Sequence, residues 1–206
     1  MVKEIRIYVE GGGSGKISRT LLREGLSTFL GQVLQQVRAR CIRWSIIACG
    51  PRQDAFESFT TALDAYPDAF SVLLVDAEGP VGTSPSAHLR ARDNWQAPGV
   101  DETQYHLMVQ AMEAWFLADA AALGRFYGDG FRANAIPKTR NVEIIDNSEI
   151  IRVLVAATRD TQKGAYHKTK HGFKILGELD PAKVRAAAPH CERLFTVLLD
   201  RIDAAR

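Results

Sequence analysis

Carboxylates stand at two places in this chain where a strand-like run stops. Glu10 follows the alternating Ile5, Ile7 and Val9 and precedes three glycines, while Asp76 and Glu78 follow the apolar run Ser71–Val75. In an extended chain Asp76 and Glu78, two residues apart, point the same way. Carboxylates gathered so closely raise one another's pKa unless a cation offsets them. An all-oxygen donor set suits Mg2+ or Mn2+ better than zinc. Glu10, Asp76 and Glu78 are therefore the candidate metal ligands and catalytic acids. Acids at strand ends are also ordinary solvated loop residues; the second acid-tipped strand, running into glycines, favours the metal.

Glu113 joins the candidate ligands. On a helix expected over roughly Glu102–Leu123, its neighbours Val109, Phe116 and Leu117 put it on an apolar flank. A carboxylate is costly to bury there without a cation or a donor. Asp119 lies six residues further on, on another side of that helix, and is expected to make a structural hydrogen bond or a cap.

The segment Lys163–Lys174 contains four lysines and two histidines and no acid. Lys163, Lys168, Lys170, His171 and Lys174 are the candidate nucleic-acid contacts, with Tyr166 and Phe173 offering rings for unpaired bases to stack on. The ordinary alternative is a solvated basic loop. Arg52, Arg90, Arg92, Lys138 and Arg140 each read as surface charges, and His106 as a core or surface residue rather than a ligand.

The run from Gly11 to Lys16 invites comparison with a P-loop, and fails it. Glu10 occupies the first glycine position and Ile17 replaces the magnesium-binding hydroxyl. A carboxylate at the mouth of a phosphate cradle repels the nucleotide, so a flexible turn into the first helix is expected.

Positioning these side chains requires a sheet. Strand, helix, strand, helix, strand alternate over the first hundred residues: Ile5–Val9, an amphipathic stripe over 20–38, Ile42–Cys49, a helix from Ala55 to Tyr66, and Ser71–Val75. The unbroken third run suggests burial on both faces. This is a parallel α/β unit, in which ligands bind beyond the carboxyl ends of the strands. A surface excursion over 79–99, the Glu102–Leu123 helix, a loop over 127–141, a short helix Glu149–Thr158 and a C-terminal helix Pro181–Ile202 follow. One domain over 1–206 is expected, an α/β core to about residue 100 and a mostly helical remainder.

Composition sets the bounds. With 206 residues, 46% apolar, and a net charge of 26 − 24 = +2, the chain is globular and is no polybasic protein. Cys41, Cys49 and Cys191 form no metal-spaced pair and read as free thiols in a reducing compartment. No signal core or bilayer-length apolar run appears, so a cytoplasmic protein off the membrane is expected.

The strand ends at Glu10 and at Asp76 and Glu78 resemble those of the Toprim fold of topoisomerases, primases and overcoming-lysogenization-defect (OLD) nucleases. The stretch His106–Asp119, above all Met112–Asp119, and the later Tyr166–Lys168 resemble an uncharacterised bacterial Toprim-like family over nearly the whole chain. The resemblance implies a Toprim-like sheet flanked by helices and a divalent-metal nuclease, with DNA favoured over RNA. It also implies an ABC- or SMC-type ATPase partner in a phage-defence locus. By that likeness Glu10 is a general acid/base or ligand, Asp76 and Glu78 the metal pair, Glu113 a ligand to a second metal, and Lys168 the stabiliser of the transition state. The usual Asp-x-Asp is here Asp76-x-Glu78, which changes the reach of the second acid. The alternatives are a non-catalytic subunit that binds an ATPase or nucleic acid, and another metal-dependent phosphate-transfer enzyme.

Overall fold

In a computed structural model, which describes residues 2–13 and 15–204, four strands form one parallel sheet. They are β1 (Glu4–Glu10), β2 (Arg43–Gly50), β3 (Ala69–Asp76) and β4 (Tyr105–Met108), side by side in the order β2-β1-β3-β4. Helices α1 (Lys16–Phe29) and α2 (Gly31–Ala39) follow β1, α3 (Arg52–Ala65) follows β2, and α4 (Pro85–Asp93) follows β3. The stripe expected as one helix over 20–38 is thus two, meeting at Leu30.

Alternation along the strands divides the core in two. Ile5, Ile7 and Val9 of β1 pack with Leu22, Leu26, Phe29, Val33 and Val37 on one face. Tyr8, Leu73 and Val75 meet Ala55, Phe59 and Leu89 of α3 and α4 on the other. β3 contributes Val72 and Leu74 to the first core, so it is buried on both sides.

The helix expected over Glu102–Leu123 is corrected. Tyr105–Met108 is β4, paired in parallel with Leu73–Asp76. Without it the outer edge of β3 would leave backbone donors and acceptors unpaired beside an apolar run that fits either period. Helix begins only at α5 (Glu113–Leu117) and resumes as α6 (Ala120–Tyr127). Asp119 interrupts them and caps α6 by accepting from the Ala122 amide at 3.2 Å.

The remainder is helical: α7 (Asn147–Thr158), a π-helical turn Lys168–Gly172, α8 (Phe173–Glu178), α9 (Pro181–Ala187) and α10 (Pro189–Asp203). The single C-terminal helix expected over Pro181–Ile202 is broken because Ala188 is extended and Pro189 lacks the N–H to continue it. Gly25 of α1 sets the fit of α8: a Cβ there would lie 2.3 Å from the Phe173 carbonyl oxygen. Among the described residues no helix is long and apolar enough to cross a membrane.

Candidate metal centre

The site follows from the strand order. β1 and β3 are neighbours, yet β1 leads into α1 on one face of the sheet and β3 into α4 on the other. Chains diverging to opposite faces open a crevice at the carboxyl ends of the strands. Glu10 and Asp76 are the last residues of those two strands.

Glu10, Asp76 and Glu78 converge there, with one carboxylate oxygen from each lying within 4.8 Å of the others. The convergence does not come from an extended chain, as the sequence suggests. β3 stops at Asp76, and Glu78 takes a left-handed φ of 59°, with its amide donating to the Gln110 carbonyl at 2.7 Å. A turn, rather than the strand pleat, brings Glu78 to the trio.

Each acid is held by its own donors. Asp76, 6% exposed, accepts from the Met112 amide at 2.8 Å through Oδ1 and has Lys168 Nζ 3.8 Å from Oδ2. Burial pushes its pKa up to about 8; Lys168 opposes the rise, while Glu113 and Glu10 add to it. Glu10 Oε2 accepts from Arg52 Nη1 at 3.1 Å and from the Asp76 amide at 3.2 Å. Burial also raises Glu10, against the pull of Arg52. Among the described residues, Glu10 Oε1 and both oxygens of Glu78 carry no hydrogen bond, and so stay available as donors to a hard cation.

Glu113 sits behind this trio rather than in it. Only 1% exposed, it accepts from the Tyr166 hydroxyl at 3.0 Å and lies 3.4 Å from Lys168 Nζ, both through Oε1. Its Oε2 is buried with no partner among the described residues. Lys168 therefore spans two carboxylates, Asp76 and Glu113. Tyr166 is no stacking platform: its ring is buried edge-on to Phe116, 6.2 Å between centroids. Burial, then the Glu113 charge, push its hydroxyl far above the usual range, so it stays a donor. Phe173 is likewise buried.

A cavity of about 330 Å³ adjoins the trio, lined by Glu10, Asp76, Lys168, Thr169, Met108, Met112 and Phe173 and by glycines 11, 12, 13, 15 and 50. The glycine run makes the turn expected between β1 and α1, and its first residue is anchored to the end of β2. Gly11 and Gly50 exchange two backbone hydrogen bonds, of 2.8 and 3.1 Å, and a Cβ on Gly50 would lie 2.6 Å from the Gly13 carbonyl oxygen. Ser14 lies outside the described residues.

A model of DUF4276, a domain of unknown function, matches residues 9–199. The chain belongs to the DUF4276 family. No curated protein and no solved structure matches it. The DUF4276 match runs from the end of β1 into α10, so it encloses the trio, Glu113 and Lys168.

Within this DUF4276 fold the residue that sequence reasoning misses is Arg52. Expected as a surface charge, it is 14% exposed at its side chain. It donates to Glu10 and to the Asp76 carbonyl, and grips Asp93 with Nε at 3.0 Å and Nη2 at 2.7 Å. Its guanidinium also stands 4.9 Å from the Trp95 ring centroid. The one sequence signal was position, just past the carboxyl end of β2. Asp119 makes the structural bonds expected of it, to Ala122, to the Asp180 amide at 3.0 Å and to Lys183 at 2.7 Å. His106 is a core residue, 1% exposed. His171 is half-buried and turns Nδ1 inward, 2.9 Å from the Tyr127 hydroxyl, whereas Lys163, Lys170 and Lys174 are exposed.

Proposed function

We propose that the chain is a nuclease of Toprim type that uses Mg2+ or Mn2+ to hydrolyse phosphodiester bonds in nucleic acid. The observation that carries this is the convergence of Glu10, Asp76 and Glu78 within 4.8 Å at the sheet's switch point. The donor set fits a hard divalent ion: it is all oxygen, and a cation would offset the mutual repulsion and burial that raise Asp76 and Glu10. Such an ion, when bound, polarises a phosphoryl oxygen and offsets its charge.

The chain's own residues supply the rest. Arg52 fixes one oxygen of Glu10, the other having no hydrogen bond among the described residues, while Asp93 fixes Arg52. Lys168 stands between Asp76 and Glu113 at the cavity, where its ammonium meets the charge that develops on a phosphate under attack. Tyr166 holds Glu113, and Glu113 holds Lys168. Glu113 acts here on Lys168, and a role for it on a second ion rests on the Toprim resemblance alone. An ABC- or SMC-type ATPase partner and a phage-defence setting enter on the same resemblance, and co-purification with a neighbouring ATPase tests them.

Labelled DNA and RNA incubated with the purified chain test the activity. Cleavage is expected in Mn2+ or Mg2+, lost in EDTA, and reduced roughly 100-fold or more in Glu10→Gln and Asp76→Asn. No cleavage of any strand type in either metal, alone or with the neighbouring ATPase, would overturn the proposal.

A further inference from the structure

The basic segment does not lie flat on the surface. Lys163, Lys170, His171 and Lys174 close around Leu21 of α1 and Phe126 of α6, forming a groove beside the metal centre. Thr169 lines both this groove and the cavity at the trio, so the two adjoin at that residue. Among the described residues Lys163, Lys170 and Lys174 have no carboxylate partner. Burial, then His167 and the charges of these lysines, lower the pKa of His171. Glu24 and Glu178 line a neighbouring groove that shares Leu21, Phe126 and Lys174, and are absent from this one.

The aromatic ring open to these lysines is Phe126, not the buried Tyr166 or Phe173. Phe126 is half-buried, edge-on to Tyr127 and His171, and Lys163 Nζ lies 5.4 Å from its ring centroid. Cations set around one accessible ring and an apolar neighbour match a phosphate backbone whose base lies on the ring. A paired duplex keeps its bases stacked inside and cannot offer a face to Phe126.

We infer that this groove is a single-strand nucleic-acid site, in which Phe126 stacks a base, Lys163, Lys170 and Lys174 take the flanking phosphates, and Thr169 marks the passage to the acids. The passage towards the acids rests on the nuclease reading; binding in the groove does not.

Fluorescence anisotropy in EDTA, where nothing is cut, tests the site with a labelled oligothymidylate of about 15 nucleotides and a duplex of the same length. The full chain is expected to prefer the unpaired strand. Phe126→Leu should weaken that binding roughly 5- to 100-fold with little change in salt dependence. Lys170→Glu with Lys174→Glu, both on the exposed surface, should weaken it further and lower the slope of log affinity against log salt by about 1 to 2. Equal affinity for duplex and single strand, or wild-type affinity in the folded Phe126→Leu chain, would overturn the inference. Strand binding that needs these residues, without cleavage in any metal, would support the groove and count against the nuclease.

Discussion

Arg52 binds Glu10 with one edge of its guanidinium, 3.1 Å from Nη1 to Oε2, and Asp93 with the other, 2.7 Å from Nη2 to Oδ2. The two acids are unlike in what remains to them. Asp93 is held through both oxygens, and its pKa is lowered by Arg52 against the effect of burial. Glu10 keeps one oxygen free of hydrogen bonds among the described residues. Arg52 thus orients Glu10 through one oxygen only.

Removing that restraint should leave Glu10 free to leave the trio. Arg52→Ala is expected to weaken Mn2+ binding by about 10- to 100-fold, as losses of groups behind a metal ligand do. Arg52→Lys should recover little, since an ammonium cannot grip Asp93 through two parallel bonds. Calorimetric titration with Mn2+ reads both, and wild-type affinity in Arg52→Ala would contradict the role.

His106 should make the chain acid-sensitive. It is buried between the Thr103 carbonyl, 2.9 Å from Nε2, and Arg193, 3.2 Å from Nδ1, which suits a neutral ring that donates to one and accepts from the other. Burial, then Arg193, lower its pKa from 6.5 to about 3. Between those values the unfolded chain binds a proton that the folded chain refuses, so stability falls as pH drops through that window. Urea denaturation across the window should show a shallower pH slope in His106→Gln than in the wild type; parallel slopes would count against a neutral buried histidine.

Asp119→Ala should destabilise the fold without disturbing Glu10, Asp76 and Glu78. It removes the α6 cap, orphans the Asp180 amide and frees Lys183. A loss of about 2–4 kcal/mol is expected from the cap and the charged hydrogen bonds. Chemical denaturation measures it, and Mn2+ affinity of the folded fraction should not change.

Gly25→Ala tests how α8 is seated. Alanine favours a helix, by about 1 kcal/mol over glycine. Here the added Cβ meets a backbone oxygen at 2.3 Å, which neither helix can yield without moving. Overpacking wins, and a net loss of about 1–3 kcal/mol is expected in thermal or urea unfolding. A more stable variant would show that α1 and α8 are less tightly seated.

Much of this was legible in the sequence where one local signal decides the outcome. Ile5, Ile7 and Val9 alternate, Val72–Val75 is apolar throughout, and the two runs lie in strands that end at Glu10 and Asp76. Tyr105–Met108 was not legible, because its apolar residues suit a helix stripe and only the open edge of β3 makes them a strand. Arg52 and Asp93 stand 41 residues apart, and no spacing rule joins them. The glycine run failed a phosphate motif, yet it forms the cavity wall because the bond pair between Gly11 and Gly50 folds it against β2. Tyr166 and Phe173 looked like stacking rings in a basic segment; packing buried both and left Phe126, from a distant helix, beside the lysines.

The central claim is that Glu10, Asp76 and Glu78 hold a divalent ion. Anomalous scattering from a crystal soaked in manganese measures this most directly. A peak bonded to oxygens of all three carboxylates, and absent in Asp76→Asn, is the predicted result. No peak between them at saturating manganese, with Lys168 still paired to Asp76 and Glu113, would contradict it.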